Sequence, residues 1–337
     1  MPPIPKSPRP RATSYDVATA AGVAQSTVSR CFQPDSNISE ETRAHVLTVA
    51  DRLGYTPNSL ARSLITRRSN VIAVLVTRYT LHGTPNLLYT LGDELALAGQ
   101  HMILLPVDDD SGVEQALRGL SGYPLDGLIA CAVMRRADIE RLAARGVPVL
   151  FFNRQSSSPH ADSVSTDHGV AARQLARDMA AAGRRDFVCL AGPASSPVGR
   201  ERIKGFTAGL RDAGLGAPRV LDGGFSYDQA RAVFFEAMRD GAPPDAVFCA
   251  NDQMAMGVID VCRHQLDWPV PSQLMVAGFD DVPESARPPY QLTTIRQPIE
   301  TMARRAVELL RARRQQPGRT AQAERYPGEL VVRGSAL

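Results

Sequence analysis

The sequence predicts a small all-α head followed by a larger α/β body folded as two lobes, on three observations. Before residue 57 there are short helical patterns and no strand pattern. Beyond Asn70, short apolar runs alternate with amphipathic segments, the texture of βαβ units around parallel sheets. The formal charge of +3 is unevenly divided: residues 1–68 hold nine Lys and Arg against five acids, so the remainder sums to slightly negative. A basic head joined to a near-neutral body implies two different partners, a polyanion for the head.

The elements follow in order. Residues 1–13 carry five prolines and three basic residues without periodicity and read as a disordered basic arm. In YDVATAAGVAQSTVSR, Val17, Ala18 and Ala21 stand at helical spacing, Gly22 supplies the tight corner, and Val23 and Val28 continue inward on a second helix. This is a helix-turn-helix pattern. Gln25, Ser26 and Arg30 then face outward, where Gln suits adenine and Arg suits guanine in the major groove. Ser and Thr hydroxyls mostly hold phosphates, and the expected DNA contacts of this segment are Ser14, Tyr15, Gln25, Ser26, Thr27, Ser29 and Arg30. Cys31 and Phe32 are expected in the core. Ser39 caps a third helix with Glu40 and Glu41 in its first turn, and Gly54 ends it, closing a domain over 14–56. Residues 57–70 hold one more short helix and a basic linker.

In the body, 71–337, strands are expected at 71–76, 101–107, 127–133, 147–152, 187–191, 245–250 and 274–278, with helices such as 86–98 and 200–214 between them. RQSSSPHADS interrupts the pattern near 151–166, after which it restarts, giving two α/β halves with a cleft between them.

Composition limits the function. The longest apolar runs, VIAVLV and LIACAVM, fall short of the roughly 18 residues of a membrane span. Cys31, Cys131, Cys189, Cys249 and Cys262 show neither zinc nor disulfide spacing, and the Lys6–Arg11 region runs into Tyr15 and Asp16 rather than a signal-peptide core, so a cytoplasmic protein is expected. No GxSxG, HExxH, P-loop or GxGxxG pattern occurs, the six histidines lack metal spacing, and Asp108, Asp109 and Asp110 read as a solvated loop and helix cap. Neither an enzyme nor a metal or other cofactor is expected. The head argues against a pure solute-binding protein, and the large body against a purely architectural DNA binder.

Residues 14–70 resemble the DNA-binding head and hinge of the LacI/GalR family of bacterial transcription regulators, on YDVATAAGV, STVSR and GYTPNSLARSL. The resemblance continues through VPVLFFNR, RERIKGF, AVFCANDQMAMG, VAGFDD and LTTIRQP, covering nearly the whole chain. It implies that Gln25, Ser26 and Arg30 select operator bases and that PNSLARSL is a hinge helix folding on DNA. There Asn58, Ala61 and Leu64 contact DNA, with Leu64 the minor-groove wedge. It also implies a periplasmic-binding-protein-like body whose cleft holds a carbohydrate-like effector. Asn153, Arg154, Arg202, Asn251 and Asp280 match effector positions, and Phe225 the aromatic one. The alternatives are that Asn251 and Asp280 cap the next helix or turn, that Arg202 pairs with Asp280 across the cleft, that Arg154 lies on the surface and that Phe225 lies in the core. Cys31, where the family often has a small aliphatic residue, departs mildly from the pattern, and RYTLHGTPNLLYT departs from its first-lobe start, leaving Arg78 and Tyr79 as contacts there. Arg78, Arg154 and Arg202 in one cleft would favour an acidic sugar. The expected protein is a homodimeric, effector-controlled repressor on a pseudopalindromic double-stranded operator, or alternatively an activator or dual regulator of the same family.

Overall fold

The structure, a computed structural model, describes residues 12–32, 36–56 and 68–337. The chain divides into two compact units, Met1–Ser69 and Asn70–Leu337. Asn58, Ala61 and Leu64 lie outside the described residues.

The head packs three helices, α1 (Ser14–Ala21), α2 (Gln25–Cys31) and α3 (Glu40–Arg52). A capping box starts α1: the Asp16 amide donates to Thr13 Oγ1 and the Thr13 amide to the Asp16 carboxylate. Gly22, at φ 67°, ends α1 in the left-handed region and makes the corner into α2. Ser39 caps α3 by accepting from the Thr42 amide. Val17, Val28, Cys31, Val46 and Val49 form the core, with Phe32 edge-on to Tyr55 at its margin.

In the second unit the first lobe is built on a parallel six-stranded sheet ordered β11-β5-β4-β3-β1-β2. Its strands are β1 (Val71–Thr77), β2 (His101–Val107), β3 (Gly127–Cys131), β4 (Val149–Phe152), β5 (Ala161–Thr166) and β11 (Ala323–Tyr326). A short helix α4 (Arg78–Gly83) follows β1; α5 (Pro85–Leu97) and α12 (Ile299–Gln315) lie on one face, α6 (Val113–Gly119) and α7 (Arg136–Ala144) on the other. The second lobe has a parallel four-stranded sheet ordered β7-β6-β8-β9: β6 (Phe187–Ala191), β7 (Arg219–Asp222), β8 (Ala246–Cys249) and β9 (Met275–Ala277). One face carries α8 (His168–Ala181) and α9 (Pro197–Asp212), the other α10 (Tyr227–Met238) and α11 (Asp252–His264). A small antiparallel pair, β10 (Thr294–Arg296) with β12 (Glu329–Val331), completes it.

The seven expected strands are present with ends shifted by up to two residues, but β5, β7, β10, β11 and β12 were not anticipated. Strand β5, ADSVST, is wholly buried although mostly polar. Asp162 is paired there with Arg313 (2.7 Å) and Arg319 (2.5 Å), a buried network that replaces the usual apolar strand code. The lobes are also not successive halves. The chain passes to the second lobe after Thr166, returns at α12, and leaves the first again between β11 and β12, so three crossovers join them.

Helices α8 and α9 approach unusually closely at two glycines. A Cβ on Gly205 would lie 2.3 Å from the Gly169 carbonyl oxygen, and one on Gly209 would lie 2.2 Å from that of Arg173. The contact is therefore backbone against backbone.

Candidate functional site

On the head, Ser26, Ser29 and Arg30 are exposed along α2, opposite its buried Val28 and Cys31. Tyr15 projects at 71% exposure, whereas Gln25 and Thr27 are half-buried. Gln25 Nε2 donates to Ser14 Oγ at 3.2 Å, joining the starts of the two helices, and Arg30 Nε donates back to the Ser26 carbonyl at 3.4 Å. The row at the surface offers hydroxyls and one guanidinium.

In the body, most of the expected effector residues meet between the lobes, at the carboxyl ends of the parallel strands, where open α/β sheets bind ligands. Three of them hold positive φ: Asn153 (54°), Phe225 (57°) and Asp280 (121°). Backbone strain of this kind gathers where neighbouring contacts impose it. The Phe225 ring lies against Gly192 and Gly199; a Cβ at Gly192 would fall 2.3 Å from its edge. Across the cleft, Tyr79 meets Phe225 edge-on with centroids 6.4 Å apart.

At the hinge five polar side chains close a ring. Arg202 Nε donates to His168 Nδ1 (3.3 Å), and His168 Nε2 bonds Asn153 Oδ1 (3.0 Å). Asn153 Nδ2 donates to Gln297 Oε1 (2.5 Å), Gln297 Nε2 to Asp280 Oδ1 (2.7 Å), and Arg202 returns a 2.8 Å ion pair to that same oxygen. Because Nδ1 must accept from Arg202, the neutral His168 carries its proton on Nε2, and every bond in the ring then runs donor to acceptor. Asn153 belongs to the first lobe, Arg202 and Asp280 to the second, and His168 and Gln297 to two of the crossovers. Arg202 is 3% exposed; it also donates to the Ala250 carbonyl and lies 3.8 Å above the Phe279 ring. Burial pushes the Asp280 carboxyl above the ordinary range, with Arg202 and Gln297 acting against that rise.

Burial first, and then the charges of Arg202, Arg154 and Arg325, hold His168 well below its ordinary pKa of 6.5. An unfolded imidazole takes up a proton below that pH and the folded one does not, so acidification weakens the fold. His168→Gln retains a donor and an acceptor without titrating. Relative to this variant, the wild type is expected to lose up to about 1.4 kcal/mol per pH unit below roughly pH 6.5, read from urea unfolding at several pH values. Asp252, pushed up to about 7 by burial and then by Asp280, titrates in both chains and cancels in the difference.

The remaining residues divide. Asn251 caps α11, accepting from the Met254 amide at 3.0 Å, while its Nδ2 donates to the Phe225 carbonyl. Both the capping and the cleft readings thus describe one side chain. Arg202 and Asp280 pair within the second lobe, not across the cleft as expected. Arg78 departs further: its guanidinium is exposed and paired with Asp108, and it lines neither cleft cavity, because α4 begins there and turns it outward. The acidic run is accounted for locally: Asp109 accepts from Ser111, Asp110 from the Val133 amide. Among the described residues no cluster suits a metal ion. The ring leaves an inner cavity of about 50 Å³, bordered by Tyr79, Arg154, Arg202, Phe225, Asn251 and Asp280. A second cavity of about 260 Å³ adjoins it at Asn153 and Arg154. His168, Gln297 and Phe279 are site residues that the sequence does not single out, although Gln297 stands in the LTTIRQP motif and Phe279 in VAGFDD.

Residues 13–58 match the signature of bacterial regulatory proteins of the lacI family, and residues 176–336 that of the periplasmic binding protein-like domain. The HTH-type transcriptional regulator CelR of Thermobifida fusca is 32% identical over 90% of this chain and 92% of its own. The chain belongs to the lacI family. As a lacI-family member it is a DNA-binding transcriptional regulator, with the helix-turn-helix head and two-lobed body characteristic of that fold. The lac repressor dimer bound to operator and the anti-inducer ONPF superposes with a TM-score of 0.86, at 26% identity, over 97% of this chain and 100% of that one. The CelR–cellobiose complex gives 0.69 at 27% identity, over 97% and 100%. Among the described residues no helix is long and apolar enough to cross a membrane.

Proposed function

We propose that this regulator is a dimeric repressor, with residues 14–56 reading a pseudopalindromic operator, 57–70 forming the hinge and 71–337 binding a carbohydrate-like effector. The observation that carries the effector reading is the ring of five side chains joining both lobes and two crossovers. Its amide, carboxylate and guanidinium groups are those that bind paired sugar hydroxyls, and Phe225 and Tyr79 offer aromatic faces beside it. A ligand that exchanges hydrogen bonds with the ring favours one lobe arrangement over another, which is the differential affinity that control requires. The related complexes with operator and with cellobiose support this assignment. Tyr89, Leu97, Ile103 and Leu104 are exposed apolar side chains of α5 and the edge strand β2 and are the residues proposed to meet a second copy; the dimeric state itself is supported by the lac repressor dimer.

On the head, Ser14, Tyr15, Gln25, Ser26, Thr27, Ser29 and Arg30 are the proposed contacts, with Asn58, Ala61 and Leu64 in the hinge. Selection of bound duplexes from a random pool is expected to return a two-fold symmetric sequence. Arg30→Ala is expected to weaken discrimination at one base pair per half-site by about 1 to 3 kcal/mol. A pool without sequence preference would overturn the reading.

A further inference from the structure

We propose that the 260 Å³ cavity beside Arg154 is a subsite for an anionic group, a carboxylate or phosphate monoester carried by the effector. The proposal rests on reading the cleft as the effector site, and it names the chemistry of one end of the ligand.

The donor inventory carries it. Ser156, Ser158 and Ser165 line this cavity together with Arg154. Ser156 Oγ accepts from the Ser158 amide (3.1 Å), Ser158 Oγ from the His160 amide (3.2 Å) and Ser165 Oγ from Gln155 Nε2 (3.5 Å). Each oxygen already accepts one hydrogen bond and keeps its hydroxyl hydrogen to donate, with one acceptor lone pair remaining. Arg154 donates one terminal N–H to the Asn153 carbonyl at 2.8 Å, and its Nε is buried without a partner. The same lack at Arg184, Arg231 and Arg319 lies away from both cavities. Among the described residues Arg154 forms no ion pair, unlike Arg202, Arg313 and Arg319, whose guanidinium groups meet carboxylates at 2.5 to 2.8 Å. Of the charged side chains around the cavity, Glu201 is paired with Arg325 and Arg136 with Glu140, while His168 is neutral. What remains is one guanidinium without an ion pair among the described residues, with only the more distant carboxylate charge of Asp110 acting on it, beside three hydroxyls that can donate, which suits an oxyanion. Burial lowers the proton affinity of Arg154, a cost that an anion beside it offsets.

The cavity adjoins the inner one through Asn153 and Arg154, so one ligand can place hydroxyls at the ring and its charged group here. The anion contact thus shifts from the three-arginine cluster expected from the sequence to Arg154 alone.

The test uses the full chain and inorganic phosphate as probe, with chloride at equal ionic strength as reference. With a Kd of about 5 mM, phosphate at about 50 mM multiplies the folded-to-unfolded ratio roughly tenfold, read as a rise in thermal midpoint. Arg154→Gln is expected to lose this response and Arg154→Lys to keep part of it. A phosphate response no larger than that of chloride, or one that survives Arg154→Gln unchanged, overturns the proposal. If Arg154→Gln fails to fold, calorimetry of the wild type with a hexose and its hexonate decides: equal affinity overturns the proposal, and tighter binding of the hexonate by tenfold or more supports it. Duplex selection by the same chain is scored separately, so failure of the regulator reading and failure of the subsite are distinguishable.

Discussion

Arg202→Leu is expected to unfold about 3 to 5 kcal/mol more easily than the wild type near pH 7.5, the usual cost of removing one partner from a buried ion pair, and to regain part of that loss by pH 5.5. The guanidinium pairs with Asp280, donates to His168 and to the Ala250 carbonyl, and lies over the Phe279 ring. Without it, Asp280 is a buried carboxylate with only Gln297 donating to its shared oxygen. Burial already raises the Asp280 pKa, and loss of the cation raises it further. A folded pKa above the unfolded value means that the native state takes up a proton which the unfolded chain does not, so stability recovers as pH falls through the folded value. Arg202→Leu combined with Asp280→Asn should be more stable than Arg202→Leu alone, because the orphaned charge is gone. Urea unfolding of the three chains at both pH values checks this. A deficit independent of pH and unrelieved by Asp280→Asn would sink the account.

Gly205→Ala carries the second large effect, about 2 kcal/mol or more of destabilisation despite the roughly 1 kcal/mol by which Ala favours a helix over Gly. The added carbon would stand 2.3 Å from one backbone atom of α8 and 2.7 Å from another. No side-chain rotation relieves either contact, so the helices must separate. Gly119→Ala, at the end of α6, meets nothing within 4 Å and should be neutral or stabilising. Thermal unfolding of the two variants compares one substitution with opposite signs, and a matching decrease in both would refute the packing argument.

Much of this was legible in the sequence wherever local rules govern. Ser39 as a cap, Gly22 as the corner and the apolar runs of β1, β3, β4, β6 and β8 are each set by chemistry within a few residues, whereas Thr13, read as part of the arm, caps α1. What escaped depends on distant partners. Strand β5 is polar because Asp162 answers Arg313 and Arg319 from about 150 residues away. Arg78 was expected in the cleft with Arg154 and Arg202, yet the helix opening at that residue turns it to Asp108. His168 and Gln297 become neighbours of Asn153 only through the crossovers, which no periodicity announces. Asn153, Arg202 and Asp280 were identified, and the pairing of Arg202 with Asp280 was foreseen; the ring that closes through His168 and Gln297 was not.

The crossovers also order the birth of the molecule. The first five strands of the first lobe are complete by Thr166, but α12, which covers Leu150, Phe152 and Val164 with Met302, Ala306 and Leu310, begins at Ile299. At about 5 to 20 residues per second, the ribosome takes roughly 7 to 30 s to reach the helix that, after α5, completes the cover of that sheet face. The sheet of the second lobe is made in the interval. During each round of translation the nascent chain therefore carries an older lobe whose apolar face is covered by α5 but not yet by α12, beside a younger one that is nearly finished. A chaperone should find it there, and slow codons between 187 and 298 should lengthen the encounter.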